Sequence, residues 1–200
     1  MKTTFLIDGF NFYHSIKPLE PKYHWLNYYA FCKHFLTAND SIKDVYLFTA
    51  EAYWIPDAVK RHRVFLEACK LNGIKIIMGK FKEKSGYCPK CKEKSIHHEE
   101  KYTDVNIALT AYRLAAKRET EQIIFITGDT DLVPSLKAIK EDFPKIRVGF
   151  IFPYHKANVE IKDLADFSYK TRLDTLANYV MPPELVKPSG QKIRCPEEWM

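Results

Sequence analysis

The chain has 200 residues, of which 46% are hydrophobic and 14% aromatic, and its formal net charge is +6. This apolar content is enough to bury a core, which excludes a disordered protein. The sequence contains no apolar run near the ~18 residues that a membrane helix needs, and a strand pattern starts too early to leave room for a signal peptide. With an odd number of cysteines, five in all, a reducing compartment fits best. We therefore expect a cytoplasmic protein without a membrane segment.

The positive charge has two interpretations. A basic surface attracts polyanions, so the charge fits a partner that carries phosphate groups. A net charge of +6 is also ordinary for solubility. Charge alone does not separate these interpretations.

Short apolar runs alternate with stretches of helical periodicity. The runs predict strands at Thr3–Ile7, Asp44–Thr49, Ile74–Lys80, Gln122–Thr127 and Ile146–Phe152. The periodic stretches predict helices at Trp25–Ala38, Pro56–Leu71, Thr103–Lys117, Leu132–Glu141 and Val159–Asp166. Continuously apolar strands joined by helices are typical of a parallel sheet that is covered on both faces. We expect an α/β fold of this kind.

The helix predicted from Thr103 carries an apolar pattern that indicates its buried face. Five residues recur at helical spacing and are the expected stripe: Val105, Ala108, Leu109, Tyr112 and Ala116. Thr103 is the expected N-cap of this helix, and Thr130 or Asp131 is that of the next.

Two segments depart from the alternation of strands and helices. Residues 81–98 are polar and rich in lysine, which indicates an insertion, and proline-rich sequence near the end indicates a tail. We expect one domain over residues 1–170 that carries the insertion, with a C-terminal helix and tail over residues 171–200 packed on it. Apolar residues of the tail, among them Trp199, support either a homodimer or docking on the same chain.

Four aspartates mark one edge of the predicted sheet. Asp8 ends the first strand, Asp129 and Asp131 follow the fourth, and Asp104 opens the third helix. Ligands of open parallel sheets bind beyond the carboxyl ends of strands where the strand order reverses, and an order of 3-2-1-4-5 brings Asp8 and Asp129 together there. Crowded carboxylates need a cation, and Mg²⁺ prefers oxygen ligands. The pattern predicts metal-assisted phosphodiester chemistry.

Each of these residues also has a purely structural interpretation. A lone aspartate after a strand is more often a turn or capping residue, and Asp131 in particular can cap its helix. Asn11 would orient the Asp8 carboxylate, hold a water or phosphate, or form an Asx-turn. Gly9 would let the backbone turn sharply close to a ligand, and Thr127 and Thr130 offer hydroxyls beside Asp129.

Three segments, in this order, resemble NYN domains of the PIN-like nuclease superfamily, especially the bacterial LabA-like branch: Phe5–Asn11, Lys101–Leu109 and Phe125–Pro134. The likeness covers about residues 2–167. It implies a PIN-like three-layer α/β fold whose central, mostly parallel sheet has five strands in the order 3-2-1-4-5. It also implies a ribonuclease that depends on Mg²⁺ or Mn²⁺ and cuts within the RNA chain.

The same resemblance assigns roles to individual residues. It implies that the catalytic, metal-binding acids are Asp8, Asp104, Asp129 and Asp131, and that Asn11 is the asparagine of the first motif. Many PIN-like nucleases carry a further acid near the central helix. Glu99 or Glu100 would supply it here.

The insertion carries a second candidate metal site. Cys88 and Cys91 form a CxxC pair, and His97 and His98 follow. Zinc takes four nitrogen or sulfur ligands in structural sites. Cys88, Cys91 and His98 are therefore candidate ligands of a structural zinc, with a metal-free loop as an equal alternative.

Basic and aromatic side chains of two segments are candidates for nucleic-acid contact, because cations neutralise phosphates and aromatic rings stack on unpaired bases. The candidates are Lys60, Arg61 and Arg63 in the second helix, Lys80, Lys82 and Lys84 at the insertion, and Trp54 before that helix. A solvated helix face with core aromatics is the alternative. The sequence does not separate RNA from DNA as the substrate.

Two other functions are compatible with the acids. A Toprim-like DNA nuclease also uses Asp-x-Asp after a strand, but it needs a glutamate at the end of its first strand, where this chain has Asp8. A non-catalytic module that binds RNA or recruits a partner would keep the acids for metal-dependent folding. Metal titration with RNA separates a binder from a nuclease.

Overall fold

The computed structural model describes residues 1–87 and 94–200. The strands within these residues are β1 (Lys2–Asp8), β2 (Ser41–Thr49), β3 (Lys75–Met78), β4 (Lys80–Tyr87), β5 (Lys94–Lys101), β6 (Gln122–Ile126), β7 (Arg147–Phe152), β8 (Phe167–Lys170), β9 (Glu184–Val186) and β10 (Lys192–Arg194). The helices are α1 (Gly9–Ile16), α2 (Tyr28–His34), α3 (Pro56–Leu71), α4 (Thr103–Ala116), α5 (Val133–Asp142), α6 (Val159–Leu164) and α7 (Leu173–Ala177). Short 3₁₀ helices span Pro21–His24, Thr130–Leu132 and Glu197–Trp199.

The central sheet has the order β3-β2-β1-β6-β7-β8 within the described residues, and each neighbouring pair is parallel. Its first five strands are the predicted ones, so the α/β fold and the order 3-2-1-4-5 are confirmed. The sheet has a sixth strand, β8, which the sequence did not predict. β8 is only four residues long and incompletely buried, so it lacks the continuous apolar run of the inner strands.

Two apolar clusters cover the two faces of this sheet and make the three layers. Successive residues of a strand point to opposite faces, and β1 shows this directly. Phe5 and Ile7 belong to one cluster, together with Trp25, whereas Leu6 belongs to the other, together with Ile107 of α4. Burial on both faces explains why the inner strands are continuously apolar.

The buried face predicted for α4 is wrong. Four of the five predicted stripe residues are exposed: Val105, Leu109, Tyr112 and Ala116. The side chains that pack towards the sheet are instead Ile107, Ala111, Leu114 and Ala115. Both sets recur at helical spacing, so periodicity alone could not choose between them. The second set is the one that packs against the sheet.

The insertion is an antiparallel hairpin of β4 and β5, with Lys80 paired to Lys101, so it is longer than residues 81–98. The zinc candidates Cys88 and Cys91 lie outside the described residues. In the tail, β9 and β10 form a second hairpin, and the Trp25 Nε1–H donates to the Pro182 carbonyl at 2.8 Å.

Among the described residues, none of the helices is long and apolar enough to cross a bilayer.

Candidate active site

Asp8 lies at the junction of β1 and α1. The sequence suggested a loop after Asp8, but α1 begins directly at Gly9 with Asp8 as its N-cap. One carboxylate oxygen, Oδ1, accepts from the Asn11 main-chain N–H at 3.0 Å, and Oδ2 accepts from the Thr127 hydroxyl at 3.0 Å. The residue is only 4% exposed. Asp8 is therefore a buried carboxylate whose two oxygens are both held in position.

Two further aspartates converge on Asp8. Asp129 follows β6, the strand paired with β1, and Asp104 lies in the first turn of α4. Each of the three carboxylates has an oxygen within 4.8 Å of the others. The carboxyl ends of adjacent parallel strands and one helix start thus bring three acids to a single point.

This crowding changes the acidity of the group. The pKa of Asp8 is raised to about 6, mainly because burial disfavours the charged form. The hydrogen bonds from Asn11 and Thr127 lower this pKa, whereas the nearby charges of Asp104 and Asp129 raise it. The pKa of Asp104 is also raised, first by burial and then by Asp129 and Asp131. The negative charge is therefore incompletely compensated by the surrounding protein.

Of the two glutamates considered, Glu100 lies with the acids. It lines the same cleft, and its pKa is raised to about 7 by burial and then by Asp8 and Asp104. The Thr103 hydroxyl donates to its Oε1, so Thr103 is not the N-cap of α4. Glu99 instead forms ion pairs with two lysines on the outer side of the hairpin.

The fourth aspartate, Asp131, lies at the edge of the site. It is exposed, it is not part of the three-carboxylate group, and its main-chain N–H donates to the Asp129 Oδ1 at 3.0 Å. Asp129, rather than Thr130 or Asp131, therefore caps this turn. The effect of Asp131 on the pKa of Asp104 shows that its charge still reaches the site.

Asn11 joins two parts of the site. Its side-chain oxygen accepts from the Gly128 main-chain N–H at 3.1 Å, which ties α1 to the loop after β6. Gly9 is the first residue of α1, lines the cleft, and approaches β2 closely: a Cβ there would lie 2.6 Å from the Phe48 carbonyl oxygen. At Gly128, a Cβ would lie 2.2 Å from the Lys156 carbonyl oxygen. Glycine is required at both positions for space.

The donor set fits a hard divalent cation. Asp8, Asp104 and Asp129 offer oxygen ligands only, which suits Mg²⁺ or Mn²⁺ better than a soft metal. A cation at this point would also offset the carboxylate repulsion that raises the pKa of Asp8. The three acids therefore have both the chemistry and the charge of a metal site.

A cleft of about 980 Å³ contains the acids and extends away between α1 and α3. Of the predicted nucleic-acid contacts, Trp54 and Arg61 line it, as does His98. The other five do not: Lys60, Arg63, Lys80, Lys82 and Lys84.

Most of the predicted basic residues already have protein partners. Ion pairs join Lys60 to Asp57, Arg63 to Glu51, Lys84 to Glu99 and Arg61 to Glu198. The Lys80 ammonium group lies 4.7 Å from the centre of the Tyr102 ring. Exposed pairs of this kind are weak, so they leave these cations able to bind another anion.

The hairpin contributes an aromatic rim to the cleft. The His98 ring stacks on Trp54 with centroids 3.6 Å apart and an interplanar angle of 11°. Phe81 meets Trp54 and Phe10 edge to face, at 4.7 and 5.2 Å. His98 therefore already has a role in packing, and its part in a zinc site with Cys88 and Cys91 stays a prediction that metal analysis of the purified protein tests.

Sequence reasoning missed several residues of the cleft, among them Lys156, His14 and His24. Lys156 lies shortly after β7, so the rule that ligands bind beyond strand ends could have found it. His14 lies on α1, the helix that was not predicted. His24 has no signal in the sequence that points to the cleft.

The known proteins that are similar to this chain include a curated relative and a solved structure. The first, 6-hydroxy-3-succinoylpyridine 3-monooxygenase HspA of Pseudomonas putida, is 30% identical over 104 residues, which are 50% of this chain and 33% of that protein. This chain thus spans about a third of the length of that relative. The second is a crystal structure of a protein of unknown function, VPA0982, from Vibrio parahaemolyticus. It matches 90% of this chain and 96% of its own, with a TM-score of 0.59 and 17% identity, and supports the fold alone.

The family model of the NYN domain matches residues 2–171, which include every strand of the central sheet and all four aspartates. A match over this much of the chain shows the family. The family implies a nuclease-like fold of the PIN-like kind, in agreement with the sheet order. This chain belongs to the NYN domain family.

Proposed function

We propose that this protein is a metal-dependent ribonuclease that hydrolyses phosphodiester bonds within RNA chains. The observation that carries the proposal is the group formed by Asp8, Asp104 and Asp129, whose oxygens lie within 4.8 Å of one another inside a large cleft. Carboxylates this close together repel one another and destabilise the folded protein unless a cation binds between them. The NYN family favours RNA cleavage over a Toprim-like reaction on DNA.

The three carboxylates would hold Mg²⁺ or Mn²⁺. A divalent cation bound there supplies an activated water and stabilises the charge that develops on the phosphate. Asp131 would act on this site through its charge and through its hydrogen bond to Asp129. No nucleophilic side chain is needed for hydrolysis of this type.

The remaining residues position these acids and the substrate. Thr127 and the Asn11 main chain fix the Asp8 carboxylate, while the Asn11 side chain fixes the loop that carries Asp129. Glu100 has a pKa near neutrality and is suited to accept a proton at a carboxylate oxygen. The Lys156 ammonium group, in the same cleft, would attract the RNA phosphate.

Removal of metal is the first test of this proposal. We expect the purified protein to cut a circular single-stranded RNA with Mn²⁺ or Mg²⁺ and to leave it intact with EDTA, with activity restored when metal is added back. A circle has no ends, so its cleavage shows attack within the chain. RNA that is bound but never cut with either metal would contradict the proposal and support a binding module.

Thr127 gives a second prediction, because it positions the proposed metal ligand Asp8 but is not itself a metal ligand. Thr127→Val removes the bond to Asp8 and the bond accepted from the Asp129 N–H. We expect kcat for RNA cleavage to fall about 10–100-fold with little change in KM, as for other groups that orient metal ligands. Thr127→Ser should restore most of the activity.

The matched control for this prediction is Thr130→Val, which removes a hydroxyl from the same loop but leaves the bond from Thr127 to Asp8 in place. It should cut RNA at close to the wild-type rate. Equal losses in Thr127→Val and Thr130→Val, or no loss in either, would show that orientation of Asp8 by the hydroxyl is unimportant.

A further inference from the structure

The cleft continues well beyond the carboxylates. Its far arm runs between α1 and α3 and ends at the 3₁₀ helix of residues 21–24 and at the C-terminal segment. The total volume, about 980 Å³, is near the upper end of the roughly 300–1,000 Å³ found for small-molecule sites. A cation and one phosphate would fill only the end of the cleft near the acids. The far arm therefore has room for another part of the substrate.

Aromatic rings form the end of this arm. Tyr13, His24 and Trp199 line it, and the His24 ring lies between the other two, with centroid distances of 5.2 Å to Tyr13 and 5.6 Å to Trp199. Phe65 of α3 lines the cleft beside Trp199, at a centroid distance of 6.3 Å. These walls suit a flat, aromatic ligand, because aromatic groups pack well edge to face or offset.

His24 has unused hydrogen-bonding capacity at this point. Both of its ring nitrogens are shielded from solvent, and neither has a hydrogen-bond partner among the described residues. Burial lowers the pKa of His24, and Arg61 and Lys17 lower it further, so the ring is neutral and offers one donor and one acceptor. Buried polar groups of this kind are normally paired. A ligand that enters the arm and displaces the rings around His24 would pair them through polar atoms on its own ring edge.

Cations accompany the aromatic walls. The Arg61 guanidinium group lies at the far end, where it pairs with the Glu198 carboxylate at 2.8 Å. Lys17 and Lys156 also line the cleft, as does His14, whose pKa is lowered first by burial and then by the charges of these two lysines. The path from the acids to His24 is therefore lined by positive charge, which a chain of phosphates would follow.

We propose that Tyr13, His24, Arg61 and Trp199 form a base pocket that binds one unpaired nucleobase of the RNA strand whose phosphate lies at the carboxylates. A nucleotide matches all the features of the arm, since it joins a flat ring with polar edges to an anion. The proposal rests on the proposed ribonuclease function and adds a substrate preference to it. A base must leave a helix to enter such a pocket, so single-stranded RNA is the preferred substrate.

The test is equilibrium binding of AMP, GMP, CMP and UMP in EDTA, with ribose 5-phosphate as the ligand that lacks a base. We expect at least one nucleotide to bind more tightly than ribose 5-phosphate. His24→Phe keeps an aromatic ring between Tyr13 and Trp199 but removes both nitrogens, and it should weaken that binding about tenfold. The matched control is His34→Phe, the same exchange at an exposed histidine of α2 that lies outside the cleft lining.

A second measurement needs no variant. In the wild-type protein, the His24 ring nitrogen resonances should shift when the tightest-binding nucleotide is added and stay in place with ribose 5-phosphate. Equal affinity for nucleotides and ribose 5-phosphate, or His24 resonances that do not respond, would overturn the base pocket.

Both measurements are made without metal, so they are independent of cleavage. A protein that cuts RNA but shows no base-dependent binding would overturn the base pocket and leave the ribonuclease proposal in place. A protein that binds nucleotides through His24 but cuts no RNA would support the pocket and overturn the ribonuclease proposal.

Discussion

Replacing Asp8 with asparagine is expected to lower the rate of RNA cleavage in Mn²⁺ or Mg²⁺ by more than about a hundredfold. Asparagine keeps the size of the side chain but removes its negative charge, which is the property a divalent cation needs from its ligand. The expected loss exceeds the 10–100-fold effect typical of groups that only support a ligand. Asp129→Asn should have an effect of the same order, because Asp129 belongs to the same group of three carboxylates.

The matched control for these variants is Asp131→Asn. Asp131 lies in the same loop as Asp129 but is exposed and outside that group, so we expect a loss of less than about tenfold, typical of a charge that is screened by solvent. The measurement is the initial cleavage rate of single-stranded RNA by folded protein at saturating metal. Wild-type rates for Asp8→Asn would contradict the proposed site, whereas an equally large loss in Asp131→Asn would make the fourth aspartate a ligand.

The same Asp8→Asn substitution should stabilise the protein when metal is absent. The pKa of Asp8 is raised from 3.8 to about 6 in the folded state. At about 1.4 kcal/mol per pH unit, ionising this carboxyl costs the folded protein about 3 kcal/mol more than the unfolded chain. Asparagine does not ionise, so the variant avoids this cost.

The sign of the pH dependence follows from the two pKa values. Well below pH 3.8 the carboxyl is protonated in both states, and the wild type bears no ionisation cost. As the pH rises towards 6 the unfolded chain releases its proton first, so the free energy of unfolding of the wild type falls relative to the variant. Above the folded pKa of about 6 the difference becomes constant.

Thermal unfolding in EDTA from pH 4 to pH 8 measures this difference. At pH 7.5 we expect the variant to melt about 6–12 °C above the wild type, from the usual 2–4 °C per kcal/mol for a protein of this size. Saturating Mg²⁺ should reduce or reverse the gap, because metal binding stabilises only the protein that has the ligand. Asp174→Asn, at an exposed carboxylate on α7, is the control. A gap that is unchanged across the pH range would contradict a raised pKa at Asp8.

Much of the fold and part of the site were predictable because their signals are local. The strands of a sheet that is buried on both faces must be continuously apolar, so five of them could be located along the chain. The ends of α3 are equally local, with Pro56 at its start and Asn72 followed by Gly73, at φ +81°, at its stop. The positions of Asp8 and Asp129 after strands predicted that they would meet, since adjacent parallel strands end at the same edge.

Other features depend on which surfaces meet. Successive residues of the hairpin strands face opposite sides, so Glu100 points to the acids while Glu99 faces lysines. Which of the two glutamates joins the acids could be decided only from the register of the strands. The two apolar stripes of α4 have the same helical spacing, so the sequence does not show which of them is buried. Only the contacts between α4 and the sheet show it.

The sequence by itself determined where the five inner strands lie and that Asp8 and Asp129 directly follow two of them, because burial on both faces of a sheet requires continuously apolar runs. The strand order that brings these acids together was implied by the resemblance to NYN domains and is confirmed by the sheet. Only the tertiary structure decided that Asp131 lies at the edge of the site and that His24 lies at the end of the far arm. It also decided that Arg61 lines the cleft, whereas Lys60 and Arg63 do not. These outcomes depend on contacts between segments that are distant in the chain, such as Arg61 with Glu198. Local propensity carries no information about contacts of this kind.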